Sequence, residues 1–234
     1  MTENPLAGVD TLTFDIFGTV LDLTGSMTPP LREFLKTKAT TLSAEALWAE
    51  WRSRQRIEQY QDSLMMLGHS GYLETCRRAL VYCLRANGIP FTDAEVAELM
   101  QAWRRLSPHP DCAQGLRRLK SRYKLVALSN GEQAYLEQLE KERMRFGFDK
   151  LISVQAAGVF KPHPAVYRTA ATILGLEPHR IMMVAAHGFD IMGARACGYR
   201  GAYVNRYRLP ADESPYRPDI EVRDFGELAD ALGA

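Results

Sequence analysis

The sequence predicts an α/β protein, a doubly wound parallel sheet into which a helical block is inserted. Three observations lead there. Short apolar runs alternate with helix-length segments outside two punctuated joints. Between the joints the pattern is helical only. The first strand-like run, Thr11 to Phe14, precedes that block and the remaining strands follow it, so the block interrupts the sheet domain.

The first run ends on a carboxylate, Asp15, followed by Ile16-Phe17-Gly18-Thr19. A short apolar run bounded by a turn reads as a buried strand, which puts Asp15 at its carboxyl end. Open parallel sheets carry their chemistry there, and a carboxylate so placed can act as a covalent nucleophile. Alone, Asp-x-x-Gly-Thr reads as a turn or capping motif, and it is the segments farther along the chain that overturn that reading. The joints are Gly25 to Pro30 and Ser107 to Asp111. They divide the chain into a core of residues 1–24 and 108–234 and an insertion of residues 25–107. Within the insertion, Ser43 opens a helix through Trp48, Trp51 and Gln55 towards Tyr60. Tyr72 to Ala86 and Asp93 to Leu106 are two more amphipathic helices, the last with a capping box at Thr92 and Glu95. Beyond the second joint, Lys124 to Leu128, Leu151 to Val154, Ile181 to Val184 and Gly201 to Val204 read as strands. Glu132 to Arg143, Pro164 to Leu174 and Phe189 to Cys197 read as the helices between them.

At 234 residues the chain has room for one to two domains and a sizeable core. Its 29 basic and 28 acidic residues give a formal charge of +1, which offers no general attraction to nucleic acid or to acidic membranes. Cys76, Cys83, Cys112 and Cys197 show neither zinc nor disulfide spacing and read as buried thiols. Met1 to Asp10 is too polar for a signal peptide, and no apolar stretch approaches the ~20 residues of a membrane span. The expectation is a cytoplasmic protein that binds neither nucleic acid nor membrane.

Four segments in order carry the chemistry: Asp15-Ile16-Phe17-Gly18-Thr19, Leu128-Ser129-Asn130-Gly131, Phe160-Lys161-Pro162 and Val184-Ala185-Ala186-His187-Gly188-Phe189-Asp190. Ser129, Asn130 and the backbone N–H groups before the next helix suit an anion, though a helix cap would use the same residues. Lys161 beside a nucleophile would favour its ionised form; elsewhere it is a solvated loop lysine. In their order and spacing the four segments resemble the motifs of the haloacid dehalogenase superfamily, from Thr11 to about Arg206. The resemblance implies a Rossmann-like core and a helical cap. Phosphatases of that superfamily carry acidic residues where Phe17 and Ala186 stand, and those acids help to protonate the leaving group and hold magnesium. Asp15-Ile16-Phe17 instead resembles the type II (L-2-haloacid) dehalogenases, which use no metal or other cofactor.

That resemblance implies roles residue by residue. Asp15 is the nucleophile, with Thr19 in its turn. Ser129 and Asn130, with backbone N–H groups near Ile16 and Phe17, hold the substrate carboxylate. Arg52, after Trp51 in the cap, receives the departing halide; the other reading is a surface arginine on an amphipathic helix. Arg54 and Arg56 read as solvent-face charges. Lys161, Tyr167 and Asp190 serve the nucleophile and the hydrolytic water. His187 departs from the better-known Asn and is read as acting in hydrolysis or at the leaving group. His69, His109, His163 and His179 read as loop or surface residues. The expected partners are a haloacid and water, with a homodimer implied by the relatives. Two rival readings stay open at this point: a small-molecule phosphatase with a degenerate metal site, and a non-catalytic binding protein on the same fold.

Overall fold

The structure is a computed structural model that describes residue 6 and residues 8–210 and 212–234. Part of the Met1 to Asp10 stretch therefore lies outside the described residues. The chain divides into two compact units, Met1–Leu21 with Pro108–Ala234, and Asp22–Ser107. Each has its own core.

The first unit is built on six parallel strands: β1 (Thr11–Phe14), β2 (Lys124–Ser129), β3 (Lys150–Ser153), β4 (Ile181–Ala185), β5 (Arg200–Val204) and β6 (Ile220–Val222). Their order is β3-β2-β1-β4-β5-β6, with β1 hydrogen-bonded to β2 and β4. Parallel strands must be covered on both faces, which is why they read as continuous apolar runs. Alternation still sorts their side chains. Val126 and Leu128 join Ile152, Phe160, Val166, Tyr167, Met183 and Ile191 in one buried cluster. Phe14 meets Phe225 and Phe148 elsewhere in the unit.

The helices of this unit are α5 (Cys112–Lys120), α6 (Gln133–Leu139), α7 (Pro164–Leu174), α8 (Gly188–Ala196) and α9 (Phe225–Ala231), numbered after the four of the insertion. The four later strands read from the sequence lie within one residue of their observed bounds. Not foreseen were α5, β6 and α9; a three-residue strand such as Ile220–Val222 carries too little period to read. The helix expected over Glu132 to Arg143 is α6 followed by a π-helical turn, Glu140–Met144, that ends on Arg145 in the left-handed region at φ 55°.

The second unit holds α1 (Leu23–Lys36), α2 (Ala44–Leu64), α3 (Tyr72–Ala86) and α4 (Asp93–Gln101), the last continued by a 3-10 turn over Ala102–Arg105. Gly25 to Pro30, read as a joint, is helical. Asp22 caps α1 by accepting from the Gly25 N–H at 2.9 Å. Leu23, Met27, Leu31 and Leu35 form a buried stripe at intervals of four, which outweighs the cost of Pro29 and Pro30 inside the helix. Trp48 and Trp51 are buried as expected, in an aromatic cluster with Trp103 and Tyr72. The capping box at Thr92 and Glu95 is present. Arg54 is not a solvent-face charge: it pairs with buried Glu58, 2.5 Å away, and its guanidinium lies over Tyr82. Arg78 joins the same seam through Asp62 at 3.0 Å. Among the described residues no helix is long and apolar enough to cross a membrane.

Candidate active site

β1 carries Asp15 just beyond its last residue, between the ends of β2 and β4, where the Asp15 N–H still donates to Val184 O at 3.0 Å. The chain then turns through Gly18 at φ 96°, a conformation that favours glycine. The turn returns Thr19 to Asp15: Thr19 Oγ1 donates to Asp15 Oδ2 at 2.7 Å and accepts from the Ala186 N–H at 2.8 Å. His187, the N-cap of α8, places Nδ1 3.1 Å from the same oxygen. An ionised carboxylate can only accept, so Nδ1 carries the proton in this contact.

The loop before α7 delivers Lys161, whose Nζ lies 3.3 Å from Asp15 Oδ1 and 2.8 Å from Asp190 Oδ2. Its backbone is fixed by its own N–H, which donates to Asn130 Oδ1 at 2.9 Å. Asp190, in the first turn of α8, also accepts from Tyr167 at 2.7 Å. Tyr167 comes that close because residue 193 is glycine; a Cβ there would lie 2.7 Å from the ring. Ser129 ends β2 and accepts from the Gly131 N–H at 3.1 Å. Ile16 is buried, and Phe17 stacks on Tyr135 with its ring against Gly131.

Burial alone would push the Asp15 carboxyl up, but the Lys161 charge and the His187 and Thr19 donors outweigh it and hold it well below the usual carboxylate range. Asp190 goes the other way. Its complete burial, with the Asp15 charge nearby, outweighs Lys161 and pushes it up to about 6. Burial, with Asp190 beside it, raises Tyr167 well above 10 and keeps it a donor.

Asp15, Thr19, Ser129, Asn130, Lys161, Tyr167, His187 and Asp190 are thus gathered around the carboxyl end of the central strand. Arg52 belongs to the other unit. On α2 it donates to Gln55 Oε1, lies 3.4 Å from Tyr72 Oη and rests over the Trp48 ring. A cleft of about 200 Å³ beside α8, lined by Met192, Tyr203, Asp212, Tyr216 and Arg217, contains none of the gathered side chains.

Sequence reasoning missed the residues that hold the Gly18-Thr19 turn. Arg206 donates to Thr19 O at 2.8 Å and is clamped by both oxygens of Asp111 at 2.9 Å. Tyr207 donates to Gly18 O at 3.0 Å. The only signal was their place directly after the apolar run that forms β5.

These residues do not fit a divalent cation. Lys161 stands between the two carboxylates, Asp15 Oδ2 already accepts from Thr19 and His187, and Phe17 and Ala186 offer no oxygen side chain. Among the described residues no group of three His, Cys, Asp or Glu could hold a metal ion.

Residues 9–198 match the family model of haloacid dehalogenase-like hydrolases. The chain is 32% identical over 226 residues to (S)-2-haloacid dehalogenase H-109 of Pseudomonas putida, covering 96% of this chain and 98% of that relative. It is similar in structure, with a TM-score of 0.82 and 28% identity over 97% of this chain and 99% of the other, to the L-2-haloacid dehalogenase of Xanthobacter autotrophicus with chloropropionic acid covalently bound. A defluorinating L-2-haloacid dehalogenase matches with a TM-score of 0.78 and 30% identity over 97% of this chain and 96% of that one. A carboxylate at the end of the central strand, a lysine shared by two carboxylates, a family model matched over residues 9–198 and a relative 32% identical over 96% of this chain lead to one conclusion: the chain belongs to the haloacid dehalogenase-like hydrolases.

Proposed function

We propose that this protein hydrolyses short L-2-haloalkanoic acids to D-2-hydroxy acids through an ester on Asp15. The observation that carries the reading is the setting of Asp15: a buried carboxylate at the end of the central strand, paired with Lys161 and accepting from Thr19 and His187, which together favour its ionised form. An ionised carboxylate is the form that displaces a leaving group from carbon. The Xanthobacter relative with chloropropionic acid covalently bound supports the same course here.

Asp15 attacks the carbon bearing the halogen in line, and halide leaves with the bonding electron pair towards Arg52. Arg52 suits that task because a guanidinium is weakly hydrated and always charged. Ser129, Asn130 and backbone N–H groups of the Ile16-Phe17 turn hold the substrate carboxylate; their support is their place beside Asp15 on adjoining strand ends. Water then attacks the ester carbonyl carbon of Asp15. Asp190 and Lys161 position that water and move its proton, and Tyr167 fixes Asp190. One inversion at carbon follows from a single in-line displacement. The cytoplasm is the proposed place of work, and a homodimer the proposed assembly, checked by sedimentation.

A panel of fluoro-, chloro- and bromoacids tests the reading. Wild-type protein releases halide from the L enantiomers and yields the D-hydroxy acid, with and without chelator. Asp15→Asn abolishes release, because a neutral amide is a far poorer nucleophile. Halide release that stops with chelator and returns with magnesium would overturn the metal-free course, and release by a verified Asn variant would overturn the ester.

A further inference from the structure

The two oxygens of Asp15 are not equivalent. Oδ2 accepts from Thr19 Oγ1 at 2.7 Å and from His187 Nδ1 at 3.1 Å, whereas Oδ1 faces Lys161 Nζ at 3.3 Å. A carboxylate has roughly two lone-pair sites on each oxygen. Oδ2 has both in use, and Oδ1 keeps one with which to attack. Resting on the dehalogenase reading above, we infer that Oδ1 is the attacking atom, that Oδ2 becomes the ester carbonyl oxygen, and that Thr19 Oγ1 and His187 Nδ1 form the pair of donors that holds the oxyanion during hydrolysis.

The bonds balance as follows. Oδ1 bonds to carbon as halide leaves with its electron pair. Water adds to Cγ, and the carbonyl π pair moves onto Oδ2, which already faces two donors. Collapse breaks the Cγ–Oδ1 bond, so Oδ1 leaves as the hydroxyl oxygen of the product and the water oxygen stays on Asp15. One water proton ends on that hydroxyl by way of Lys161, which faces Oδ1; the other goes to solvent. Donors fixed before charge develops stabilise it without reorganisation.

Both donors are held in place. Thr19 is fixed by the Ala186 N–H and by Arg206 on its carbonyl. The His187 ring lies across Gly18, where a Cβ would stand 2.9 Å from Cε1, and beside Phe189 at 5.4 Å between centroids. His187 therefore works as a fixed Nδ1–H donor rather than as a base that takes the proton of water.

The two roles separate by substitution, because the amide nitrogen of Asn overlays imidazole Nδ1 and that of Gln overlays Nε2. Rapid quench is used to read the halide burst, for ester formation, and the intact mass of the protein, for ester decay. Thr19→Ser and Thr19→Val complete the set, with thermal melts verifying that each variant is folded. H187N and T19S slow ester decay by less than about tenfold. H187Q and T19V slow it by about 100- to 1,000-fold and accumulate ester, while their halide burst stays within about tenfold of wild type. Ester decay in H187Q as fast as in H187N overturns the inference, as does a loss of 100-fold or more in H187N, which would mark proton transfer. Either result leaves the dehalogenase reading standing if wild type still forms ester. Wild type that yields neither halide nor ester from any haloacid overturns the reading, and the inference falls with it.

Discussion

Lys161 lies within 3.3 Å of Asp15 and 2.8 Å of Asp190, and burial together with the remaining donors sends the two acids in opposite directions. Asp15 is held far below its ordinary 3.8, so its carboxylate stays ionised at neutral and mildly acidic pH. Asp190, pushed up to about 6, protonates in mildly acidic solution. The sign for stability follows: ionised Asp15 supports the fold above its unfolded value and the support is lost as pH falls through its folded one, whereas Asp190 costs stability as pH rises from 3.8 to about 6, and above about 6 the whole cost stands. For activity, steady-state turnover falls below about pH 6 because the hydrolytic step loses its carboxylate, while the halide burst persists to lower pH. Coincident acid limbs for burst and steady state would remove Asp190 from that step. Gly18 is the second residue whose chemistry is local. Gly18→Ala forces a side chain into φ 96° and drives a methyl against His187. It should cost about 1–3 kcal/mol in denaturant titration and slow ester decay. Undiminished stability would mean the turn has another conformation available.

At the scale of elements, α1 and α8 show packing and capping overriding local preference. Pro29 and Pro30 argue for a break, yet the buried stripe of α1 carries the helix past them. Leu31 is fully buried in that stripe, so Leu31→Ala should cost about 2–5 kcal/mol. Trp48, Trp51 and Trp103 are the three tryptophans of the chain and all lie in the inserted unit, so tryptophan fluorescence during urea unfolding reads that unit directly. A midpoint within error of wild type would show that α1 does not depend on its apolar stripe. In α8 the first-turn Asp190 is a residue an ordinary helix start would use, whereas His187 stands at the N-cap without making a side-chain cap hydrogen bond. Their side chains reach Asp15 and Lys161 instead, which no helix-start rule distinguishes from capping.

At the scale of the molecule, the chain leaves the sheet unit after Leu21 and re-enters it at Pro108, having built a second core in between. The site side chains of the sheet unit span from Asp15 to Asp190, and a parallel sheet brings them together because all its strands end on the same side. Arg206 ties the two parts of that unit, joining Thr19 before the insertion to Asp111 after it. The chain itself determined the parallel sheet, five of its six strands to within a residue, and the four chemical segments, because strand-length apolar runs and residue types at strand ends are local signals. It also fixed Phe17 and Ala186, and with them the lack of acidic oxygens at those two places. Only the tertiary structure decided which oxygen of Asp15 meets which donor, that one lysine serves two carboxylates, and that Arg206, Tyr207 and Gly193 support the site. It also decided that Gly25 to Pro30 is helix and that Arg54 belongs to a buried seam. The reason is physical: periodicity records which face of an element is buried, whereas hydrogen bonds between residues some 170 positions apart, such as His187 to Asp15, depend on distances that no local pattern encodes.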